Sequence, residues 1–590
     1  MYLNTKNKIE IILYKFFKLI LVAVFKRNGD VLPLYLLKKL DKNLIDNFAR
    51  DINAMNIPVI FIAGTNGKTT TANLIASGLN EAGMKVCSNT NGANMTNGIF
   101  GSIIERYSFN GNFNADIIVI ETDEKVFPYI ISKISPAIIV ITNFYRDQLD
   151  RYGEVNTTML NIKKSIQSLK NYPVLILPSN EPLASFVGFN IKNKKFYFNM
   201  KSEKKKFNNS NKNNNDNNDN NGSGGSDNDK SKILNTPDNN LDGYNFYTRE
   251  KENSNNIALT DAISCPQCGN ILSAYFNEHY IMTNYCCNYC GYKNAAADIE
   301  AESLDDDCIA FNLKNIEEFN SKVKNKDGYF VFKPSIQGYY NILNYMAAFL
   351  VLKFYCVDDG IIKKTFENYS TKFGRSFKKT VQGIECSIDL VKNPSGFNNV
   401  LEKIFGKDDS IMVNALFAFS DRDADGRDVS WIWDVNFEKY IDKFNNIAIT
   451  GLRPYDMAIR LKTAGIDIEK IKVNHDVKKA FNEIINLISD SNNCIHKIDK
   501  TDKKIEKYNL KKENICINNK LSNAKKNNNM DKNNGAERQS CPAGTHNDGY
   551  AAFGSYIYDN VRYDNNKKKI DKLYIFSTYT ELSNLEKIIV

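Results

Sequence analysis

Short unbroken apolar runs punctuate the first third of the chain. Pro58-Val59-Ile60-Phe61-Ile62-Ala63 is the first, Asp116 leads into Ile117-Ile118-Val119-Ile120, Ala137-Ile138-Ile139-Val140-Ile141 follows, and another run covers 172–177. Runs this short, rich in β-branched residues and without polar alternation, predict strands buried on both faces. Helical stretches separate them, so the pattern predicts a parallel sheet with helices on both sides and ligands at the carboxyl ends of its strands. Ahead of the first strand, 9–25 reads as an amphipathic helix interrupted by Lys15 and Lys18, and 34–55 as helical. The interrupted run has no small-residue cleavage site and no uncharged span long enough for a bilayer. Its apolar face could meet lipid or protein, packing being the commoner fate of such helices. Apolar runs at 411–419, 446–450 and 573–576 carry the strand pattern into the last third.

Composition changes this picture in two places. The chain has 590 residues, 42% of them hydrophobic, enough for several cores. From 201 to 256, and again from 499 to 569, it collapses into Asn, Lys, Asp and Ser. Such stretches bury too little apolar surface to offset their chain entropy, so both read as disordered insertions without chemistry. The formal charge of +9, from 77 basic and 68 acidic residues, is modest for this length and argues for no nucleic-acid partner. Twelve cysteines, scattered except for one cluster, favour a reducing, cytoplasmic compartment over a secreted disulfide scaffold.

Chemistry concentrates at four places. Gly64-Thr65-Asn66-Gly67-Lys68-Thr69-Thr70 follows the first predicted strand and opens a helix expected from Thr70. Backbone N–H groups of such a turn, a lysine and a helix N-terminus make a cradle for polyphosphate. Ile62 stands where the usual Walker A spacing has its first glycine. The strand before Glu121-Thr122-Asp123-Glu124 ends in carboxylates, and Thr69 with Glu121 are the candidate ligands for Mg²⁺, which prefers hard oxygen donors. Cys265-Pro266-Gln267-Cys268-Gly269 and Cys287-Asn288-Tyr289-Cys290-Gly291 match the spacing of a four-thiolate zinc site, within a ribbon expected over 262–295. Asn341 and Asn344, near the start of a predicted helix, carry amides suited to an adenine edge, although surface or capping roles are commoner for such residues. Last, Ser420-Asp421-Arg422-Asp423-Ala424-Asp425-Gly426-Arg427-Asp428 and the following Trp431 and Trp433 crowd aspartates beyond a strand. Such repulsion is tolerated most readily where a metal, substrate or partner compensates, while an acidic loop anchored by its tryptophans is the competing reading.

Taken together, the loop at Gly64, the stretch Thr142-Asn143-Phe144-Tyr145-Arg146-Asp147-Gln148-Leu149-Asp150-Arg151-Tyr152-Gly153-Glu154, the four-cysteine ribbon, Asn393 to Asn398, Asp425 to Asp434 and Thr578-Tyr579-Thr580 resemble the Mur ligase family. Within it they look like the branch that serves as synthetase subunit of a lipid II isoglutaminyl synthase. Gln148 stands where many relatives carry histidine, which removes a possible metal ligand. The resemblance implies a fold of three parts. They are an N-terminal helical segment (1–55), a central P-loop-type parallel-sheet domain carrying the zinc ribbon (56–370), and a Rossmann-like C-terminal domain (371–590). It also implies ATP, Mg²⁺ and Zn²⁺ as cofactors, with Lys68 and the loop on the phosphates, Asn344 on adenine, Arg375 on the nucleotide phosphates and Asp421 on the ribose. The implied activity is amidation of the α-carboxylate of D-glutamate in the lipid II stem peptide, at the membrane surface, through an acyl phosphate. Nitrogen would come from a GatD-type glutamine amidotransferase subunit, whose catalytic histidine an aspartate from 425–428 would orient; Asp428 is favoured and Asp425 stays open.

Two other readings survive at this level. One is a ligase of folylpolyglutamate-synthetase type that adds an amino acid to a carboxylate. The other is a non-catalytic nucleotide-binding protein organised by its zinc ribbon.

Overall fold

The computed structural model describes residues 5–25, 32–89, 93–145, 154–201, 264–276, 282–304, 307–314, 329–336, 338–370, 376–406, 411–422, 425–490 and 572–589. Most of both Asn-rich stretches, residues 146–153 and Arg375 lie outside them.

The chain divides into two compact units, the first comprising 1–374 with 392–407 and 421–439, the second the remainder. The first unit begins with α1 (Thr5–Phe25), α2 (Leu32–Leu40) and α3 (Leu44–Ala54). The single helical stretch expected over 34–55 is therefore broken. The Asp41 carboxylate accepts a hydrogen bond from the Asn43 N–H (3.0 Å), a local turn that competes with helix continuation.

There follow β1 (Val59–Ala63), α4 (Lys68–Glu81), β2 (Val86–Ser88), α5 (Thr96–Glu105), β3 (Ile117–Glu121), α6 (Phe127–Lys133), β4 (Ile138–Ile141), α7 (Val155–Gln167), β5 (Val174–Pro178), α8 (Pro182–Val187) and β6 (Lys195–Met200). A hairpin, β7 (Ser273–Phe276) with β8 (Met282–Cys286), precedes β9 (Ile299–Ser303), β10 (Ile309–Leu313), β11 (Tyr329–Phe332), α9 (Tyr339–Phe354) and α10 (Asp359–Asn368). Nine strands form one sheet in the order β11-β10-β9-β6-β5-β4-β1-β3-β2. Seven run parallel, and β10 and β11 add an antiparallel edge that the apolar runs did not predict.

The continuous apolar strands are explained by two cores. Val59, Phe61 and Ala63 of β1 point into one, with side chains of α1, α2, α3, α5, α6, α7 and α8. Ile60 and Ile62 point into the other, against α4, α9 and α10. Successive strand side chains face opposite sides, so a strand covered on both sides can place polar residues only at its ends. That geometry pushes Gly64, Glu121 and Thr142 to one rim.

The second unit holds β12 (Ser376–Val381), β13 (Ile384–Leu390), β14 (Val413–Phe419), β15 (Phe444–Gly451), β16 (Ile471–Val473) and β17 (Lys572–Ser577), in the sheet order β12-β13-β17-β14-β15-β16. All pairings are parallel except β12 with β13, as expected of a Rossmann-like unit.

Candidate functional site

The polyphosphate loop turns from β1 into α4, which begins at Lys68, two residues before the expected Thr70. Gly64 and Gly67 have φ of +126° and +86°, a region that L side chains rarely adopt. Added side-chain carbons would also strike Thr142 Oγ1 at Gly64 and Asn344 Oδ1 at Gly67. Both glycines are thus required twice over, by backbone conformation and by close approach.

The end of β4 holds the loop in shape. The Thr65 N–H donates to the Asn143 carbonyl (2.9 Å) and the Asn66 N–H to Asn143 Oδ1 (2.8 Å). Asn143 Nδ2 (3.1 Å) and Thr142 Oγ1 (2.7 Å) both donate to the Asn66 carbonyl, and the Tyr145 N–H donates to Thr65 Oγ1 (3.0 Å). The expectation that successive loop N–H groups all face one concavity is therefore corrected. Those of Thr65 and Asn66 are spent on Asn143, which leaves Gly67, Lys68 and the first turn of α4 as the candidates for anion recognition.

Lys68 is buried. Its Nζ donates to the Gly64 carbonyl and to the Thr65 carbonyl (3.1 Å), and lies 3.4 Å from the Glu124 carboxylate. Folded back in this way, the ammonium is compensated by groups that a phosphate could replace. Thr70 is buried on the same turn and Thr69 is half-buried.

Glu121 closes β3 opposite Ile62 of β1 and is buried. Asn89 braces its backbone from both sides, accepting from the Glu121 N–H (2.9 Å) and donating to the Glu121 carbonyl (2.7 Å). Asn94 Nδ2 donates to the carboxylate (3.2 Å). A buried carboxylate that accepts from one side-chain amide among the described residues fits a hard cation, with Thr69 as its candidate companion. Sequence reasoning placed Glu124 among the acids at the end of this strand but not its pairing with Lys68, and missed Asn89 and Asn94 as members of this rim.

On α9, Asn344 lies against Gly67. Its Oδ1 accepts from Thr71 Oγ1 (3.3 Å) and its Nδ2 donates to Asn341 Oδ1 (3.3 Å), the two asparagines being three residues apart on one helix face. The structure thus brings Asn341 and Asn344 to the loop. Asn393 joins them, its Nδ2 donating to Asn66 Oδ1 (3.0 Å) while its own Oδ1 caps α11 (Pro394–Phe405) at the Gly396 N–H (2.8 Å).

The aspartates expected beyond β14 differ in environment. Asp421 is half-buried, directly after the strand. Asp425 is buried, its N–H donating to the Arg422 carbonyl (2.8 Å). Asp428 is more accessible and accepts from the Ser430 N–H (2.8 Å). Trp433 is 48% exposed, so it does not serve as a core anchor of this loop.

The four ribbon cysteines converge on one point, all Sγ atoms lying within 4.8 Å of one another. Each pair sits on a tight turn, in which the N–H of Gly269 donates to Cys265 (2.8 Å) and that of Gly291 to Cys287 (2.9 Å), both glycines having positive φ. Four thiols at this separation suit tetrahedral zinc. Cys265 and Cys287 are buried in the same core as Phe186, and the Tyr292 hydroxyl donates to the Pro182 carbonyl (2.8 Å).

Comparison with known proteins bears on the whole chain. The Mur ligase middle domain model matches residues 62–247, and the MurT ligase C-terminal model matches residues 390–498. The chain is 30% identical over 464 residues to the subunit MurT of lipid II isoglutaminyl synthase (glutamine-hydrolyzing) from Staphylococcus aureus strain COL, covering 78% of this chain and 88% of that one. For the subunit of the same name from Streptococcus pneumoniae strain R6 the figures are 29% over 463 residues, 78% and 87%. A solved pseudomurein peptide ligase type C from Methanothermus fervidus has a similar fold, with a TM-score of 0.52 at 15% identity over 94% of this chain and 84% of that one. The chain belongs to the Mur ligase family, in its MurT group, and is an ATP-dependent ligase.

Proposed function

We propose that this ligase amidates the α-carboxylate of D-glutamate in the stem peptide of lipid II, giving D-isoglutamine. The observation that carries the proposal is the identity with the MurT subunit of lipid II isoglutaminyl synthase, which spans 88% of that subunit. The carboxylate attacks the γ-phosphorus of ATP, releasing ADP and leaving an acyl phosphate. Ammonia then adds to the acyl carbon, phosphate departs, and the surplus proton leaves with solvent. Both steps build negative charge on phosphate oxygens, which Lys68 and the first turn of α4 are suited to stabilise. Thr69 and Glu121 would hold Mg²⁺, which would supply neutralisation of phosphate charge. Asn341 and Asn344 would meet adenine, with Arg375 on the phosphates and Asp421 on the ribose. The four cysteines would hold zinc in a structural role.

Free ammonia is scarce at neutral pH, so a glutaminase subunit of GatD type is the source proposed. The test is mass spectrometry of stem peptides after incubation with ATP, lipid II, glutamine and the co-purified partner. A loss of about one mass unit at glutamate, from hydroxyl replaced by amino, is the expected result. A mass gain equal to an amino-acid residue, or ATP consumption only with free amino acids, would overturn it.

A further inference from the structure

An amphipathic helix at a protein surface normally turns its polar face to solvent. α1 does not. Its inner side packs into the first core through Ile11 and Tyr14, together with Leu34 and Leu37 of α2. Its outer side presents Ile9, Ile12, Phe16, Leu19 and Val22, exposed to 53%, 47%, 55%, 67% and 50%. Spacings of three and four residues put Ile9, Ile12, Phe16 and Leu19 on one stripe, which runs for about 15 Å at the α-helical rise. Leu32, Tyr35 and Leu40 of α2 are exposed as well.

The helix cannot turn the stripe inward without breaking other links. Lys18 pairs with Glu105 at the end of α5 (2.7 Å), Lys15 donates to the Glu105 carbonyl (3.3 Å), and Lys6 pairs with Asp41 (2.7 Å). The outer stripe is therefore a fixed surface feature.

Charge says what covers it. Residues 1–40 contain eight lysines and arginines against two acids, Glu10 and Asp30, a formal +6 out of +9 for the chain. Glu10 is buried. An apolar stripe on a strongly basic segment is the pattern of a helix lying in the headgroup region of an anionic membrane. Among the described residues no helix is long and apolar enough to cross a membrane, and α1 is committed to the protein core along its other side.

We infer that the outer face of α1 docks on an anionic lipid surface, with Ile12, Phe16 and Leu19 entering the acyl boundary and the net positive charge of the segment drawing it to the headgroups. The inference does not depend on the substrate proposed above, because it concerns binding to lipid alone. The experiment is flotation of the full chain, co-purified with its partner where needed, on vesicles of phosphatidylcholine or of equal parts phosphatidylcholine and phosphatidylglycerol. Binding is expected on the mixed vesicles and should weaken as salt rises. A triple variant, Ile12→Ser with Phe16→Ser and Leu19→Ser, should lose at least about tenfold in apparent affinity, since three apolar side chains no longer leave water. These positions are exposed, so circular dichroism and nucleotide binding should match the parent. Absence of parent binding to phosphatidylglycerol vesicles, or equal flotation of parent and variant, overturns the proposal. So does a parent dimer that the triple variant dissolves in light scattering without any change in flotation, which would assign the stripe to a second copy of the chain.

Discussion

Lys68 lies in a pocket of oxygens: two carbonyls of its own loop and the Glu124 carboxylate. An ammonium held this way is compensated without nucleotide and can exchange those partners for phosphate oxygens. Lys68→Met keeps the length and apolar stem but removes the charge, so ATP turnover should fall by at least about 100-fold, while bound zinc and the circular dichroism spectrum stay as in the parent. Turnover within a few-fold of the parent would take Lys68 out of the chemistry. Glu10 offers a second prediction. It is a buried residue of α1 itself, and burial together with the neighbouring Asp41 carboxylate pushes its carboxyl up to about 7. Asp41 is itself held below the usual carboxylate range by Lys6, and Asp51 is hydrogen-bonded by Asn7 (2.7 Å). A raised folded-state value means the protonated acid favours the fold. Its contribution is complete below the ordinary carboxylate range near 4.5 and is lost as pH rises through 7. Glu10→Gln should therefore match the parent at pH 4.5 and exceed it at pH 8 by on the order of 1–3 kcal/mol. A parent-to-variant difference in unfolding free energy that is independent of pH would refute the assignment. Glu10 drew no notice in the sequence because a single acid in an amphipathic run looks like a solvated position. The glycine loop was legible because its two glycines are demanded by backbone geometry, whereas the pairing of Glu124 with Lys68 depends on how the loop folds back and has no signal in the sequence.

At the level of elements, the apolar runs identified β1, β3, β4, β5, β14, β15 and β17, since residues covered on both faces leave a continuous signal. β2, β6, β9 to β13 and β16 were missed because they are short or alternate with polar residues, and the division between α2 and α3 was missed because it rests on one side-chain turn at Asp41. The ribbon was legible from cysteine spacing alone, but its attachment was not. Tyr292 ties it to α8 by a hydrogen bond to Pro182 and by an edge contact with Phe186, and Asn199 Nδ2 of β6 donates to the Thr283 carbonyl (2.9 Å). Removing the metal should therefore affect more than the hairpin. Elemental analysis of the parent should show about one equivalent of zinc, and Cys268→Ser is expected to abolish it and to lower the midpoint of thermal unfolding by several degrees, since a structural zinc contributes directly to folding. Parent protein treated with a chelator should behave the same way and recover when zinc returns. An unchanged midpoint in both experiments would mean that the four thiols hold nothing that stabilises the unit.

At the scale of the whole molecule, the proposed function gives the aspartate-rich loop a role that depends on another polypeptide. Asp425 and Asp428 could not be separated by sequence, because both stand beyond the same predicted strand within a few residues. Their environments now differ: Asp425 is buried against its own chain, while Asp428 is only half-buried, accepts a local turn bond from the Ser430 N–H, and stands in the loop that exposes Trp433. A group that orients a histidine on a partner must reach past its own surface, and exposed tryptophan is a frequent anchor of such interfaces. Asp428→Asn should therefore lower glutamine-dependent amidation by at least about 100-fold, the scale of losing the third member of a triad. Amidation driven by added ammonium salt should remain within twofold of the parent, because nothing at Lys68 or Glu121 has changed. Asp425→Asn is expected instead to reduce thermal stability and to lower both activities together, as loss of a buried polar group does. The reverse pattern, with Asp425→Asn selectively losing the glutamine reaction at unchanged stability, would move the positioning role to Asp425. Equal glutamine and ammonium activities in both variants would show that the partner completes its triad without help from this loop.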